Sequence, residues 1–272
     1  MRSLAALAAA ASLLIGPPPA RADDTQLKDA ARKVLSRYGP ALVMVRLTLK
    51  PRMVYEGREE SGPESTIETA GTLVAADGLT ALSDFTTNPT AMFQRDEGPR
   101  FETEVSDVRL LLQDGRELPA RFVLRDSDLD VAFVAPTEPV AKLASVPFDK
   151  GALPGPMDDL VFLAQLGKSL NRAVAVSAGQ VRAVVKRPRT FLVPAAADGM
   201  SSLGTPAFDG RGRPVGLVVM RRAPGGQDGS LSIRAWSDRM TAVVLTASDL
   251  QDLMEQAQAA RSKVTAEGGA AP

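Results

Sequence analysis

The chain has 272 residues with 32 basic and 32 acidic side chains, a formal charge of zero that gives nucleic acid or acidic lipid no whole-chain attraction. It contains no histidine and no cysteine, which excludes imidazole bases, thiolate nucleophiles, disulfides and Cys/His zinc sites together. Apolar residues make up 44% and charged residues 24%, ordinary for a globular protein whose core stands without covalent staples.

Met1–Ala22 has the form of a secretory signal peptide. Arg2 supplies the positive start, Leu4–Ile15 the apolar segment and Ala20-Arg21-Ala22 the A-x-A cleavage site. The apolar segment is too short to span a bilayer and is broken by Pro17-Pro18-Pro19, so a cleaved leader, a periplasmic or secreted destination and no membrane span are expected. Asp24–Tyr38 has helical spacing, with Leu27, Ala30, Ala31, Val34 and Leu35 on one face and Gly39-Pro40 as the stop. Ala41–Leu49 predicts a first strand. Arg52–Glu68, rich in Gly, Pro and Glu, is expected to be an exposed loop.

Ala70–Ala76 and Leu79–Ser83 predict a hairpin across Asp77-Gly78. Asn88–Asp107 is expected to be a second solvated loop. Val108–Gln113 and Leu118–Leu124 form another predicted hairpin, followed by the strand Asp126–Val134. Val140–Pro156 is a Pro/Gly-bearing connector, placing a first half at about 41–139 and a second at about 157–246. Strands are predicted at Asp158–Gln165, in two runs within Leu170–Val185, at Thr190–Pro194, on both sides of Asp209–Gly212, and within Ser230–Thr246, which holds Trp236. Ala223–Gly229 reads as a Gly-rich hairpin. A C-terminal amphipathic helix over 247–261 is expected, with Ser248 as N-cap, then a disordered tail at 263–272. Many short β-rich runs punctuated by turn residues predict an all-β protein of barrels or sandwiches.

Three blocks carry a resemblance. Ala70-Gly71-Thr72-Leu73-Val74 with Asp77-Gly78 is similar to the strand pattern that closes on a histidine in trypsin-like serine proteases of the HtrA/Deg class; the matching position here is Phe85. Asp130-Val131-Ala132 resembles the D-[LIV]-A that carries the aspartate. Ser201-Ser202-Leu203-Gly204-Thr205-Pro206-Ala207-Phe208 resembles the nucleophile loop G-N-S-G-G-P-L-F, with Leu203 on the serine. The resemblance runs from about Leu27 to Arg261. It implies two six-stranded antiparallel β-barrels with short N- and C-terminal helices; no cofactor or metal is expected, nor a PDZ domain, since the chain ends where HtrA proteins usually begin one.

It also implies a degenerate triad, Phe85, Asp130 and Leu203, lacking both base and nucleophile. Phe85 and Leu203 are expected to pack together and shield Asp130, which caps its strand through hydroxyl or backbone N–H donors. The first functional reading is a pseudoprotease that binds protein or extended peptide without cleaving it, through Ser201, Ser202, Leu203, Gly204 and Thr205; homo-oligomer formation stays open. The alternative is a hydrolase of non-histidine chemistry with Ser202 as nucleophile, whose nearest lysine bases in sequence are Lys168 and Lys186. A purely structural envelope protein is a third reading. Asp158-Asp159 and Glu59-Glu60 read as solvated carboxylates. The basic stretch Lys186-Arg187-Pro188-Arg189 and the pair Arg221-Arg222 are weak grounds for nucleic acid on a neutral chain with two tyrosines.

Overall fold

A computed structural model describes residues 22–55, 58–87, 100–195, 199–222 and 240–268. The signal segment other than Ala22, the Ala223–Gly229 hairpin and Trp236 lie outside them. Helix α1, Ala22–Tyr38, buries Ala30, Val34 and Tyr38, one turn apart, and ends at Gly39-Pro40. The Tyr38 ring stacks on Phe208 with centroids 5.0 Å apart, which pins the helix to the second half of the chain.

The first half holds β1 (Leu42–Tyr55), β2 (Arg58–Ser61), β3 (Ser65–Leu73), β4 (Thr80–Ser83), β5 (Arg100–Leu111), β6 (Glu117–Asp126) and β7 (Val131–Pro136). They form a 7-stranded antiparallel sheet in the order β2-β1-β3-β4-β7-β6-β5, and the pairing of β1 with β5 closes six of them into a barrel. The second half holds β8 (Asp159–Gln165), β9 (Val174–Val185), β10 (Phe191–Pro194), β11 (Pro206–Asp209), β12 (Pro214–Arg222) and β13 (Met240–Thr246), closed in the order β10-β13-β12-β11-β8-β9. The protein is therefore two six-stranded antiparallel β-barrels with a helix at each end, as expected.

Five local expectations are corrected. The stretch 52–68 is not a loop throughout: β1 runs on to Tyr55, β2 pairs with it, and β3 begins at Ser65. This ladder projects beyond the barrel, so its polar side chains stay hydrated while the backbone is paired, and composition alone misreads it. Likewise β5 starts at Arg100, inside the second expected loop; 88–99 lie outside the described residues. A single strand, β9, replaces the two runs in 170–185, preceded by a 3-10 turn at Lys168–Leu170. Helix α2, Ala247–Gly268, is longer than expected, taking in the first part of the expected tail. Its cap is Thr246 and not Ser248: the Asp249 N–H donates to Thr246 Oγ1 at 3.3 Å, and that hydroxyl donates to Asp249 Oδ2 at 2.7 Å.

The main core draws on both barrels and takes in Ala247, Leu250, Leu253 and Ala257 of α2. Arg261 of α2 reaches back to Asp77 in the β3–β4 turn at 2.7 Å. No helix among the described residues is long and apolar enough to cross a membrane.

Candidate functional site

Asp130 closes the turn before β7. Its φ of 59° is left-handed, a conformation aspartate tolerates better than most residues. The turn aims its carboxylate inward, where three donors converge. Ser83 Oγ donates to Oδ2 at 2.6 Å, the Phe85 N–H donates to Oδ1 at 2.6 Å, and the Met220 N–H donates to Oδ2 at 2.6 Å. Ser83 ends β4 and Phe85 sits in the 3-10 turn Asp84–Thr87, both in the first barrel; Met220 lies on β12 of the second. One carboxylate thus bonds across the inter-barrel seam. Burial raises its pKa to about 6, against the hydrogen bonds from Ser83, Met220 and Phe85, which lower it, and with a smaller upward push from the charge of Asp84.

The rest of the Asp84–Thr87 turn is held by a second carboxylate. Asp84 accepts from Arg125 at 2.8 Å, Thr87 Oγ1 at 3.2 Å and Ser127 Oγ at 2.8 Å. Phe85 therefore leaves a rigid support. It joins a cluster made otherwise of second-barrel residues, among them Leu160, Phe162, Val181, Leu203, Val218 and Met220. Phe85 is 9% exposed and Leu203 1%, so neither points into solvent.

The Gly199–Ser202 3-10 turn leads into the loop that carries Leu203. Its backbone is fixed from both barrels. The Gly204 N–H donates to Val218 C=O at 2.8 Å, the Val218 N–H donates to Thr205 C=O at 2.9 Å, and Thr72 Oγ1 of the first barrel donates to Gly204 C=O at 2.8 Å. Gly204 has φ 77°, and a Cβ there would lie 2.5 Å from the Ala70 carbonyl oxygen, so only glycine fits. Thr205 Oγ1 donates to Ser202 C=O at 2.6 Å. Ser201 is exposed, whereas Ser202, Leu203, Gly204 and Thr205 are buried. Ser202 Oγ is buried without a hydrogen-bond partner among the described residues.

The structure thus brings Phe85, Asp130 and Leu203 to one place, the seam between the barrels. Lys168 and Lys186 are both exposed and hydrated, remote from any desolvated role. Asp158 Oδ2 accepts the Gly155 N–H at 2.7 Å and Asp159 Oδ1 accepts from Gln180 at 3.2 Å; Glu59 pairs with Arg52. In the basic stretch, Arg189 pairs with Asp249 at 3.0 Å, and Arg221 donates to the Asp128 carbonyl at 2.8 Å. No group of three or more His, Cys, Asp or Glu among the described residues is arranged to hold a metal ion.

Sequence reasoning missed a second tie across the seam. Arg172, in the left-handed β8–β9 turn at φ 52°, clamps Glu68 of β3 with two bonds of 2.8 Å. Arg46 bonds Glu68 at 3.3 Å and Glu117 at 3.0 Å, extending the pair into a network. The Arg172 hydrogen bond is the main cause holding the Glu68 carboxyl below its ordinary pKa, with burial opposing it and the charge of Arg172 and the Arg46 contacts adding to it. Nothing in the local sequence pairs residues 104 positions apart.

None of the curated proteins matches the chain. The family model described as trypsin-like peptidase domain matches residues 69–217, more than half of the chain, from β3 through the Leu203 loop into β12. With the double barrel and with Asp130 and the Leu203 loop meeting at its seam, the chain belongs to the trypsin-like peptidase domain family.

Proposed function

We propose that this protein is an HtrA-type pseudoprotease, periplasmic or secreted, that binds protein or extended peptide without cleaving it and serves a scaffold or regulatory role. The observation that carries the reading is at Asp130. In an active triad that carboxylate orients a histidine. Here its oxygens are taken by Ser83 Oγ, the Phe85 N–H and the Met220 N–H, while Phe85 occupies the apolar space beside it. The sequence offers no histidine to take that place. The Met1–Ala22 pattern supports export, and the three motif blocks support the HtrA class.

The Ser201–Thr205 loop is part of the proposed binding region, with Ser201 as its exposed member in this conformation. A hydrolase built on Ser202 is the competing reading, favoured by the unpartnered hydroxyl. Against it, a buried hydroxyl without a base is neither activated nor open to substrate. The deciding assay follows cleavage of quenched-fluorescent casein by the purified chain and by Ser202→Ala. The expected result is background rate for both. Turnover by the natural chain that Ser202→Ala abolishes would overturn the pseudoprotease reading. In-cell cross-linking then tests binding: one reproducible protein partner, lost when residues around Leu203 are changed, is expected. Persistent capture by those variants would move the binding site elsewhere.

A further inference from the structure

Strand β9 is longer than its neighbour on one side. Its pairing with β8 ends at Gln180 opposite Asp159, while its pairing with β10 continues to Val185. Among the described residues no strand covers the other side of Arg182-Ala183-Val184-Val185. Val185 is 43% exposed, and Lys186 and Arg187, which follow it, are exposed as well.

The turn Gly155–Asp158 stands at the start of this open edge. The Met157 N–H donates to Val181 C=O at 2.8 Å, and the Val181 N–H donates to Asp158 C=O at 2.9 Å. The Asp158 N–H donates to Gly155 C=O at 3.2 Å, which places Met157 at the third position of the turn, with φ 70°. Glycine is the residue suited to that position. Met157 is 70% exposed, so burial in its own fold offsets little of the strain. Leu153, 65% exposed, lines a cavity of about 350 Å³ together with Asp158, Asp159 and Arg211. Asp209 and Arg213 also line it but pair with each other at 2.7 Å, which leaves the wall net negative.

We propose that this edge is a self-association surface: β9 pairs antiparallel with β9 of a second copy across a twofold axis through Val184. Because the β9 register skips Arg182 at its bulge, pairing about Val184 sets Lys186 and Arg187 of each copy opposite Val181 and Gln180 of the other. Those are the residues bound to Asp158 and Asp159, through the Val181 N–H and the Gln180 side chain. The incoming chain cannot continue the ladder there, because Asp158 already occupies the Val181 N–H. It passes over Met157 and Leu153, which gain the burial they lack in one copy. A parallel pairing would bring the two Lys186-Arg187 pairs together, so charge selects the antiparallel arrangement. The twofold axis repeats every contact, and a short edge is used twice. Basic residues at an open edge ordinarily deter strand addition; acidic residues within reach convert that deterrent into selectivity.

Sedimentation equilibrium of the purified chain over about 1–200 μM is the test, with a reversible monomer–dimer equilibrium expected in that range. The double variant Lys186→Glu/Arg187→Glu is expected to weaken association about tenfold or more. Mixing it with Asp158→Lys/Asp159→Lys restores association, because only the mixed pair sets opposite charges at both ends. Met157→Gly keeps the proposal testable should the aspartate variant fail to fold. Glycine suits the positive φ, so its melting temperature stays level or rises while dimerisation weakens several-fold. A chain that stays monomeric throughout, or a dimer indifferent to the Lys186/Arg187 and Met157 changes, overturns the proposal.

Discussion

At Asp130 the barrels are joined by a carboxylate sealed from water and surrounded by neutral donors, with an aromatic ring from one barrel seated in the core of the other. At Glu68 they are joined by a carboxylate near the surface that faces two guanidinium groups. Both contacts span the same seam, yet their pH dependences have opposite signs. Burial raises the Asp130 pKa to about 6, so the folded protein holds that proton more tightly than the unfolded chain. The arginines lower the Glu68 pKa, so there the folded protein releases its proton more readily. In this chain each carboxylate ties the two barrels together, Asp130 through neutral donors beside an apolar cluster and Glu68 through facing guanidinium groups.

The comparison breaks most readily at Phe85. Phe85→Ala empties the ring from the second-barrel cluster while leaving its backbone N–H on Asp130. The expected loss is about 3–5 kcal/mol in equilibrium denaturation, the range for large-to-small changes in a packed core. A loss below about 1 kcal/mol would mean that the ring only fills space and that Asp130 carries the joint.

Asp130 supplies the next effect. Its folded pKa of about 6 lies above the ordinary aspartate value of 3.8, so its contribution is fully present below pH 3.8 and is lost as pH rises through about 6. The full span is about 3 kcal/mol at 1.36 kcal/mol per unit. Urea midpoints of the natural chain and of Asp130→Asn, measured from pH 4 to pH 7, isolate it: the advantage of the natural chain over the variant should shrink with rising pH. An advantage that grew with pH would show that the three donors outweigh burial and that the site is built for the anion.

The sequence made the seam legible through Asp77-Gly78, Asp130-Val131-Ala132 and Gly204, because turn geometry and tight backbone packing restrict residue choice at fixed spacings. The family resemblance located Phe85, Asp130 and Leu203 and implied two barrels, whereas the short apolar runs by themselves announced only barrels or sandwiches. The donors on Asp130 were not legible individually: Met220 contributes a backbone N–H, which any residue carries. Polar strands β2 and the first part of β5 were hidden, since a hydrated ladder has no apolar period. The Glu68–Arg172 clamp was hidden because an ion pair between distant positions leaves no local pattern.

The smallest effect belongs to that clamp, and its sign sharpens the contrast. Glu68→Gln keeps the shape of the side chain and removes its charge. With Glu68 and Arg172 retaining 19% and 28% side-chain exposure, solvent screens the pair, and a loss of about 0.2–1 kcal/mol is expected at neutral pH. Because the folded pKa is lowered, this contribution is present above the unfolded value and disappears as pH falls through the folded one, the reverse of Asp130. It should also fade in about 1 M salt, where the screening length falls to roughly 3 Å, whereas the Phe85 effect should persist. Denaturation of Glu68→Gln and the natural chain at low and high salt separates the two. A Glu68→Gln loss that exceeded that of Phe85→Ala, or one unmoved by salt, would reverse the ranking and make the arginine network the principal joint.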